Sequence, residues 1–176
     1  MVNLQKYQNK RIAIYGMGLT GCSTAKTLRK LGTKIFCWDD NRKTRDKIKN
    51  LKFPLNKFWL NKNVIDNIVI SPGIDISKCK IKNYLKKNSR KIITDLDIFF
   101  DLNKTHQIIS ITGTNGKSTT CKMIEKILKI AKYNVKTVGN IGNPILSLTK
   151  TKKKYVFILE VSSYQLQYSK LFRSKH

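Results

Sequence analysis

Residues 108–120, Ile-Ile-Ser-Ile-Thr-Gly-Thr-Asn-Gly-Lys-Ser-Thr-Thr, decide how this chain folds. An apolar segment with the residue types of a β-strand ends at a turn with two glycines, and a lysine and three hydroxyl residues follow directly. A helical pattern then runs from Lys117 to about Lys132. Strand, glycine-rich turn and helix in this order predict a phosphate-binding loop, in which backbone N–H groups of the turn and of the helix N-terminus bind phosphate oxygens.

The side chains of this loop add the chemistry of a nucleoside triphosphate site. Lys117 is predicted to neutralise the β- and γ-phosphates, and the Ser118 hydroxyl to hold Mg²⁺. The general loop has its first glycine where this chain has Ile111, so the loop here is a shorter form. We predict an ATP site rather than an ordinary strand-to-helix turn. Its residues are Gly113, Thr114, Asn115, Gly116, Lys117, Ser118 and Thr119.

Two further polar residues follow later strands of the same region. Glu160 ends the apolar segment Tyr155–Leu159, and a carboxylate at a strand end can hold Mg²⁺ directly or through water. We predict this metal role in preference to that of a solvated surface glutamate. Asn140 lies in a glycine-flanked loop, where it either contacts a substrate or serves the turn, and the residues alone do not decide between these.

A second glycine turn lies near the start of the chain. The apolar strand Arg11–Tyr15 leads into Gly16–Gly21, a G-x-G-x-x-G pattern, and a helix and a second strand follow. Asp39 and Asp40 come about 20 positions after the glycines. Taken alone, this fingerprint predicts a dinucleotide such as NAD.

The alternation of strands and helices predicts an α/β fold with two domains. We predict a Rossmann-like parallel-sheet domain over residues 1–103 and a partial P-loop-type α/β central domain over residues 104–176. The polar residues 102–106 are interpreted as the linker between them, with His106 exposed to solvent. The second domain has about three strands of a larger sheet.

Composition narrows the classes of function. The formal net charge is +26, but the lysines are spread along the whole chain, so we predict no specific nucleic-acid partner. No apolar run spans a membrane and the first ten residues lack a signal-peptide core, which predicts a cytoplasmic protein with no membrane partner. The four cysteines are scattered and indicate neither a zinc site nor a disulfide framework.

Several motifs, in order along the chain, resemble the Mur ligase family. Gly16–Gly21 resembles its G-x-G-L-T-G turn, Ser71–Ile74 its S-P-G-I loop, and Thr112–Thr119 its T-G-[ST]-N-G-K-[ST] loop. Residues 139–142 resemble its G-N-I-G motif, and residues 160–166 its E-[LV]-S-S-[FY]-Q-L block. The S-P-G-I form and the S-S-[FY]-Q-L form favour the D-glutamate-adding, MurD-type members.

The resemblance changes the ligand expected at the first turn from NAD to a UDP substrate. It implies that the diphosphate lies near the first turn and the uracil and ribose near Asp39 and Asp40. Family members commonly have a hydroxyl residue after the first aspartate, and Asp40 departs from this. The implied substrate-binding residues are Gly18, Leu19, Thr20, Asp39, Asp40, Ser71, Pro72, Gly73, Asn140 and Ser162.

The chemistry implied by the resemblance is ATP-driven amide formation, catalysed by an acid–D-amino-acid ligase of peptidoglycan precursor synthesis. The γ-phosphoryl group passes to the L-alanyl carboxylate of UDP-N-acetylmuramoyl-L-alanine, and the amine of D-glutamate displaces phosphate from the acyl phosphate. Lys117 and Mg²⁺ would stabilise charge on the phosphoryl group, Ser118 and Glu160 would each hold a metal ion, and Asn140 would contact the muramoyl substrate. We expect a monomer.

The resemblance also implies missing parts, because family members continue into further middle-domain residues and a third domain. We therefore expect an N-terminal fragment that does not ligate alone. The alternatives are another Mur ligase member, a folylpolyglutamate-type ligase, an NAD-dependent oxidoreductase and a non-catalytic nucleotide-binding module. The oxidoreductase alternative leaves the second phosphate loop unused.

Overall fold

The chain forms two compact units in a computed structural model that describes residues 4–60, 64–139, 144–147 and 154–170. The first unit is Asn3–Asp95, and the second begins at Leu96. The units divide eight residues before the predicted boundary at 103/104, because the helix that contains Phe99 packs within the second unit. Both units are α/β with parallel strands, which confirms the predicted fold class.

The first unit is built on a four-stranded parallel sheet. The elements are β1 (Arg11–Tyr15), α1 (Leu19–Lys30), β2 (Lys34–Trp38), α2 (Arg42–Asn50), β3 (Asn67–Ile70), α3 (Lys82–Lys87) and β4 (Ile92–Ile93). The strand order is β2-β1-β3-β4. The inner strand β1 is buried throughout after its first residue, as expected for a strand of a parallel sheet covered on both faces.

The strand order places the first glycine turn where ligands bind in sheets of this kind. Strand β1 lies between β2 and β3, and its last residue, Tyr15, pairs with Trp38 on one side and Ile70 on the other. The three strands therefore end at one edge of the sheet. The crevice at the point where strand order reverses is the usual ligand site of open α/β sheets.

The turn after β1 packs so tightly that it restricts side chains. A Cβ atom added at Gly21 would lie 2.0 Å from the carbonyl oxygen of Gly16. The Ser71 hydroxyl donates a hydrogen bond of 2.6 Å to that same oxygen, which ties the end of β3 to the turn. Gly21 is thus required by close approach of two backbone segments.

The second unit has a three-stranded parallel sheet. The elements are α4 (Asp95–Leu102), β5 (Gln107–Ile111), α5 (Lys117–Ile130), β6 (Val135–Gly139), β7 (Val156–Glu160) and α6 (Ser163–Tyr168). The strand order is β5-β7-β6. All five residues of β7 are buried, whereas β5 and β6 are partly exposed. The outer edges of β5 and β6 have no strand partner within the described ranges.

The prediction that His106 is exposed to solvent is wrong, because residues 103 and 106 pack into the second unit. Asn103 is buried and donates a 2.8 Å hydrogen bond to the carbonyl of Phe99. The Nδ1 atom of His106 accepts the N–H of Tyr155 at 3.2 Å, and its ring meets Phe157 edge-on at 5.2 Å between ring centroids. Partial burial lowers the pKa of His106, so the neutral form that accepts this hydrogen bond is favoured.

None of the helices in the described ranges is both long enough and apolar enough to cross a bilayer.

Replacing Gly21 with alanine is expected to destabilise the first unit by more than about 2 kcal/mol, because the new methyl group would overlap backbone that cannot move aside. Urea unfolding followed by tryptophan fluorescence reports on this unit, since both tryptophans, Trp38 and Trp59, lie in it. Gly73→Ala is the matched control, because a Cβ there meets nothing within 4 Å. Equal, small effects of the two substitutions would contradict the close approach.

Candidate functional site

The phosphate loop joins β5 to α5 and has the backbone geometry of an anion cradle. Gly116 is the N-cap of α5 with a left-handed φ of 75°, and no side chain caps the helix. The N–H groups of the first turn therefore lack an intrahelical partner. They lie on exposed residues, where a phosphate can accept from them. Thr114, Asn115 and Thr119, three residues of the predicted ATP site, are exposed around this helix end.

Lys117 bends back over the loop that precedes it. Its Nζ atom donates to the carbonyl oxygens of Gly113 at 2.6 Å and Thr114 at 3.3 Å. These contacts hold the ammonium group above the turn, where the loop N–H groups also lie. The loop therefore places one positive charge and several backbone donors on the same small region, which suits a polyphosphate.

Glu160 lies beside the loop because of the strand order. Strand β7 is inserted between β5 and β6, and the register pairs Glu160 with Ile111, the last residue before the loop. The Glu160 residue is only 5% exposed. It accepts a hydrogen bond of 2.9 Å from the Ser118 hydroxyl, 42 residues away in sequence. The two residues predicted to hold Mg²⁺ are thus in direct contact.

This pair of oxygen donors fits Mg²⁺. The ion prefers hard oxygen ligands and commonly takes one or two from the protein, with waters and substrate phosphates completing its octahedron. Ser118 and Glu160 supply one hydroxyl and one carboxylate at the loop. No group of three or more His, Cys, Asp or Glu side chains that could hold a metal ion occurs in the described part of the chain.

Gly139 is a positioning residue that the sequence analysis missed. It ends β6 with a φ of 127°, and a Cβ there would lie 2.3 Å from the carbonyl oxygen of Glu160. Only glycine lets β6 approach the end of β7 this closely. The sequence signal that could have identified this role is a glycine at the end of a predicted strand. The adjacent Asn140, predicted to bind substrate, lies outside the described residues.

Ser162 has a structural partner in addition to its predicted substrate role. Its hydroxyl oxygen accepts the N–H of Gln165 at 3.2 Å, and the Gln165 side chain accepts the N–H of Ser162 at 3.0 Å. This capping box begins α6 directly after β7.

In the first unit, the predicted diphosphate-binding residues lie at the common end of three strands. Gly18 is the N-cap of α1 and provides no side-chain cap, so the first N–H groups of this helix are also available to an anion. Leu19 is 77% exposed on this turn, beside Thr20. Ser71 is buried and its hydroxyl donates a hydrogen bond to the carbonyl of Gly16. Pro72 and Gly73 follow it in a turn.

The carboxylates of Asp39 and Asp40, predicted near uracil and ribose, are both engaged within the protein. Asp39 accepts the N–H groups of Met17 at 2.7 Å and Asn41 at 2.8 Å, which ties the glycine turn to the end of β2. Asp40 accepts the Tyr15 hydroxyl at 2.5 Å and the Trp38 indole N–H at 3.2 Å. The predicted residues of this unit thus surround one sheet edge.

Sequence reasoning also missed the cationic and aromatic groups at this edge. The guanidinium of Arg45 lies 4.8 Å from the Trp38 ring centroid and donates to the carbonyls of Asp39 and Asp40, both at 2.8 Å. The Trp59 ring meets Trp38 edge-on at 5.2 Å. The available signal was that β1 and β2 both end in an aromatic residue.

Removing the Ser118 hydroxyl is expected to destabilise the second unit by about 1–3 kcal/mol, because Ser118→Ala leaves a buried carboxylate without its donor. Hydrogen exchange of the β7 amides measures the change. Ser110→Ala is the control, since the buried Ser110 hydroxyl has no hydrogen-bond partner in the described part of the chain and its loss should cost little. A larger loss of protection in Ser110→Ala would contradict this account of the pair.

Comparison with known proteins agrees with these two units. Residues 10–93 match the model of the Mur ligase MurD-like N-terminal domain, and residues 111–174 match that of the Mur ligase middle domain. The two matched ranges follow the two units, one on each.

Curated relatives match over nearly the whole chain. A UDP-N-acetylmuramoylalanine–D-glutamate ligase of Wolbachia sp. subsp. Brugia malayi (strain TRS) is 38% identical, over 94% of this chain and 34% of the relative. The ligase of the same name from Clostridioides difficile (strain 630) is 35% identical, over 96% of this chain and 39% of the relative. The ligase of the same name from Buchnera aphidicola subsp. Acyrthosiphon pisum (strain Tuc7) is 39% identical, over 96% of this chain and 39% of the relative.

The chain spans between a third and two fifths of the length of these relatives. Within that span, the first glycine turn and the Ser-Pro-Gly turn lie in the matched N-terminal domain. The second glycine turn and the Ser118–Glu160 pair lie in the matched middle domain. The chain belongs to the Mur ligase family.

Proposed function

We propose that this chain provides the nucleotide-binding parts of an ATP-dependent ligase that adds D-glutamate to UDP-N-acetylmuramoyl-L-alanine, a cytoplasmic step of peptidoglycan precursor synthesis. The observation that carries the proposal is the 2.9 Å contact between Ser118 and Glu160 beside the Lys117 loop. It joins the phosphate loop to a buried carboxylate, as an Mg²⁺-nucleotide site requires. The names of the curated relatives support the choice of substrates.

In this proposal, the first unit binds the UDP part of the substrate. The diphosphate accepts hydrogen bonds from the N-terminus of α1 at Gly18, Leu19 and Thr20, while Ser71, Pro72 and Gly73 form the adjacent wall. The uridine extends along the end of β2, past Asp39 and Asp40. The exposed N-terminal turn of α1 supports this arrangement, because a helix end without a side-chain cap favours an anion.

The second unit binds ATP as a substrate and holds the accompanying ion. Residues Gly113–Thr119 donate backbone N–H groups to the phosphates, and Lys117 leaves its loop carbonyls to neutralise the β- and γ-oxygens. Ser118 and Glu160 hold Mg²⁺, and Asn140 and Ser162 contact the muramoyl substrate. Bound Mg²⁺ supplies electrostatic stabilisation of charge on the transferred phosphoryl group.

The reaction forms an amide at the expense of one phosphoanhydride bond. The L-alanyl carboxylate attacks the γ-phosphorus and ADP leaves, which gives an acyl phosphate. The amine of D-glutamate then attacks the acyl carbon, loses a proton and expels inorganic phosphate. Lys117 acts in the first step by balancing the negative charge on the phosphoryl oxygens as they approach the carboxylate.

Replacing Lys117 with alanine is expected to weaken ATP binding in the presence of Mg²⁺ by about 10- to 100-fold, since a hydrogen bond from a charged group contributes about 1.5–3 kcal/mol. UDP binding should be unchanged, because Lys117 lies in the other unit. Calorimetric titration of the whole chain with each nucleotide measures both. Lys122→Ala removes an exposed lysine of the same helix and serves as the control. Loss of both nucleotides in Lys117→Ala would overturn the assignment of one nucleotide to each unit.

A further inference from the structure

Within the described part of the chain, the Asp40 carboxylate contacts three hydrogen-bond donors. One oxygen accepts the Tyr15 hydroxyl at 2.5 Å and lies 3.4 Å from the backbone N–H of Lys80. The other oxygen accepts the Trp38 indole N–H at 3.2 Å. An ionised carboxylate suits three donors, because its two oxygens offer about four acceptor sites and it has no donor of its own. An amide or a single hydroxyl at this position would leave at least one of them unpaired or opposed.

The three donors come from different parts of the first unit. Tyr15 ends β1 and is fully buried, Trp38 ends β2, and Lys80 lies in the segment that leads into α3. Asp40 therefore connects two strand ends to a loop about 40 residues further on. Burial, followed by the contact with Asp40, raises the pKa of Tyr15, so the phenol keeps the proton that it donates.

The residues around this connection are cationic and aromatic. Arg45 and Lys57 lie 4.8 Å and 5.6 Å from the Trp38 ring centroid. Arg45 also donates to the backbone carbonyls of Asp39 and Asp40. A displaced Trp38 would thus move two positive charges at the sheet edge where the diphosphate and uridine are proposed to bind.

We propose that Asp40 is a positioning residue, which fixes Tyr15, Trp38 and the Lys80 loop so that the UDP-binding edge is preformed, and that it does not read the base itself. This inference rests on the proposed UDP site. Its basis is that both carboxylate oxygens already accept hydrogen bonds from protein donors, so neither is left wholly free for the base. A group that acts through the framework affects every pyrimidine nucleotide alike, because the shared ribose and diphosphate use the same edge.

The test compares UDP and CDP binding to the whole chain by calorimetry. Asp40→Asn is expected to weaken both nucleotides by the same factor, roughly tenfold, because the amide loses one acceptor and turns a donor toward a donor. Tyr15→Phe should weaken both by a similar factor. The double variant should lose no more than either single variant, since the two groups act as one unit.

Asp46→Asn is the matched control. It makes the same change in charge on α2, where Asp46 is exposed and has no hydrogen bond or ion pair with the described part of the chain. It should leave both nucleotide affinities unchanged. Circular dichroism of each variant verifies that the unit is folded.

A spectroscopic readout separates positioning from a general loss of structure. The chain has two tryptophans, and the Trp38 indole N–H signal in a ¹⁵N-correlated spectrum can be assigned with Trp59→Phe. In Asp40→Asn this signal should move by loss of its charged acceptor, while the dispersed backbone signals remain.

Three outcomes would overturn the inference. A loss of UDP affinity with CDP unchanged would make Asp40 a base-reading residue. Unchanged affinities despite a moved indole signal would make the connection purely structural, and additive losses in the double variant would separate Tyr15 from Asp40. If the unaltered chain bound neither nucleotide, the proposed function would fail and the inference with it, which is distinct from all three.

Discussion

Both halves of this chain depend on one constraint, which is the close approach of backbone segments at the ends of parallel strands. At the first turn, the carbonyl of Gly16 lies where a side chain on Gly21 would have to be. In the second unit, the carbonyl of Glu160 approaches Gly139 in the same manner. In the first case a glycine lets helix α1 approach the turn after β1, and in the second a glycine lets the end of β6 approach the end of β7. An anion site made of backbone N–H groups needs such proximity, since backbone donors cannot reach out as side chains do.

Acidic residues are scarce in this protein, and the structure uses several of them as acceptors. There are 10 Asp and Glu residues against 36 Lys and Arg, so the solvated surface is dominated by lysine. Asp39 and Asp40 each accept from groups on separate elements. Asp97, which is fully buried, accepts the Ser169 hydroxyl at 2.6 Å and the Lys170 N–H at 2.9 Å. Because unpaired buried carboxylates are costly, such contacts specify how distant segments meet.

The sequence was sufficient to predict the two glycine turns and the parallel α/β class. These follow from local rules, because a glycine turn between strand and helix has few alternatives. Three features needed tertiary information. The insertion of β7 between β5 and β6 determines why Glu160 reaches the loop, and no local pattern encodes strand order. His106 was predicted to be exposed from its polar neighbours, but packing on Phe157 decides its burial. The donors to Asp40 come from three places along the chain, so spacing could not identify them.

The first glycine turn is proposed to serve a UDP substrate, although its pattern is that of a dinucleotide site. Calorimetric titration of the whole chain with UDP and, separately, with NADH distinguishes the two ligands. UDP is expected to bind to a single site, and NADH is expected to produce no binding heat at the same concentrations. NADH binding with no UDP binding would contradict the proposed UDP site and would return the first unit to the oxidoreductase interpretation.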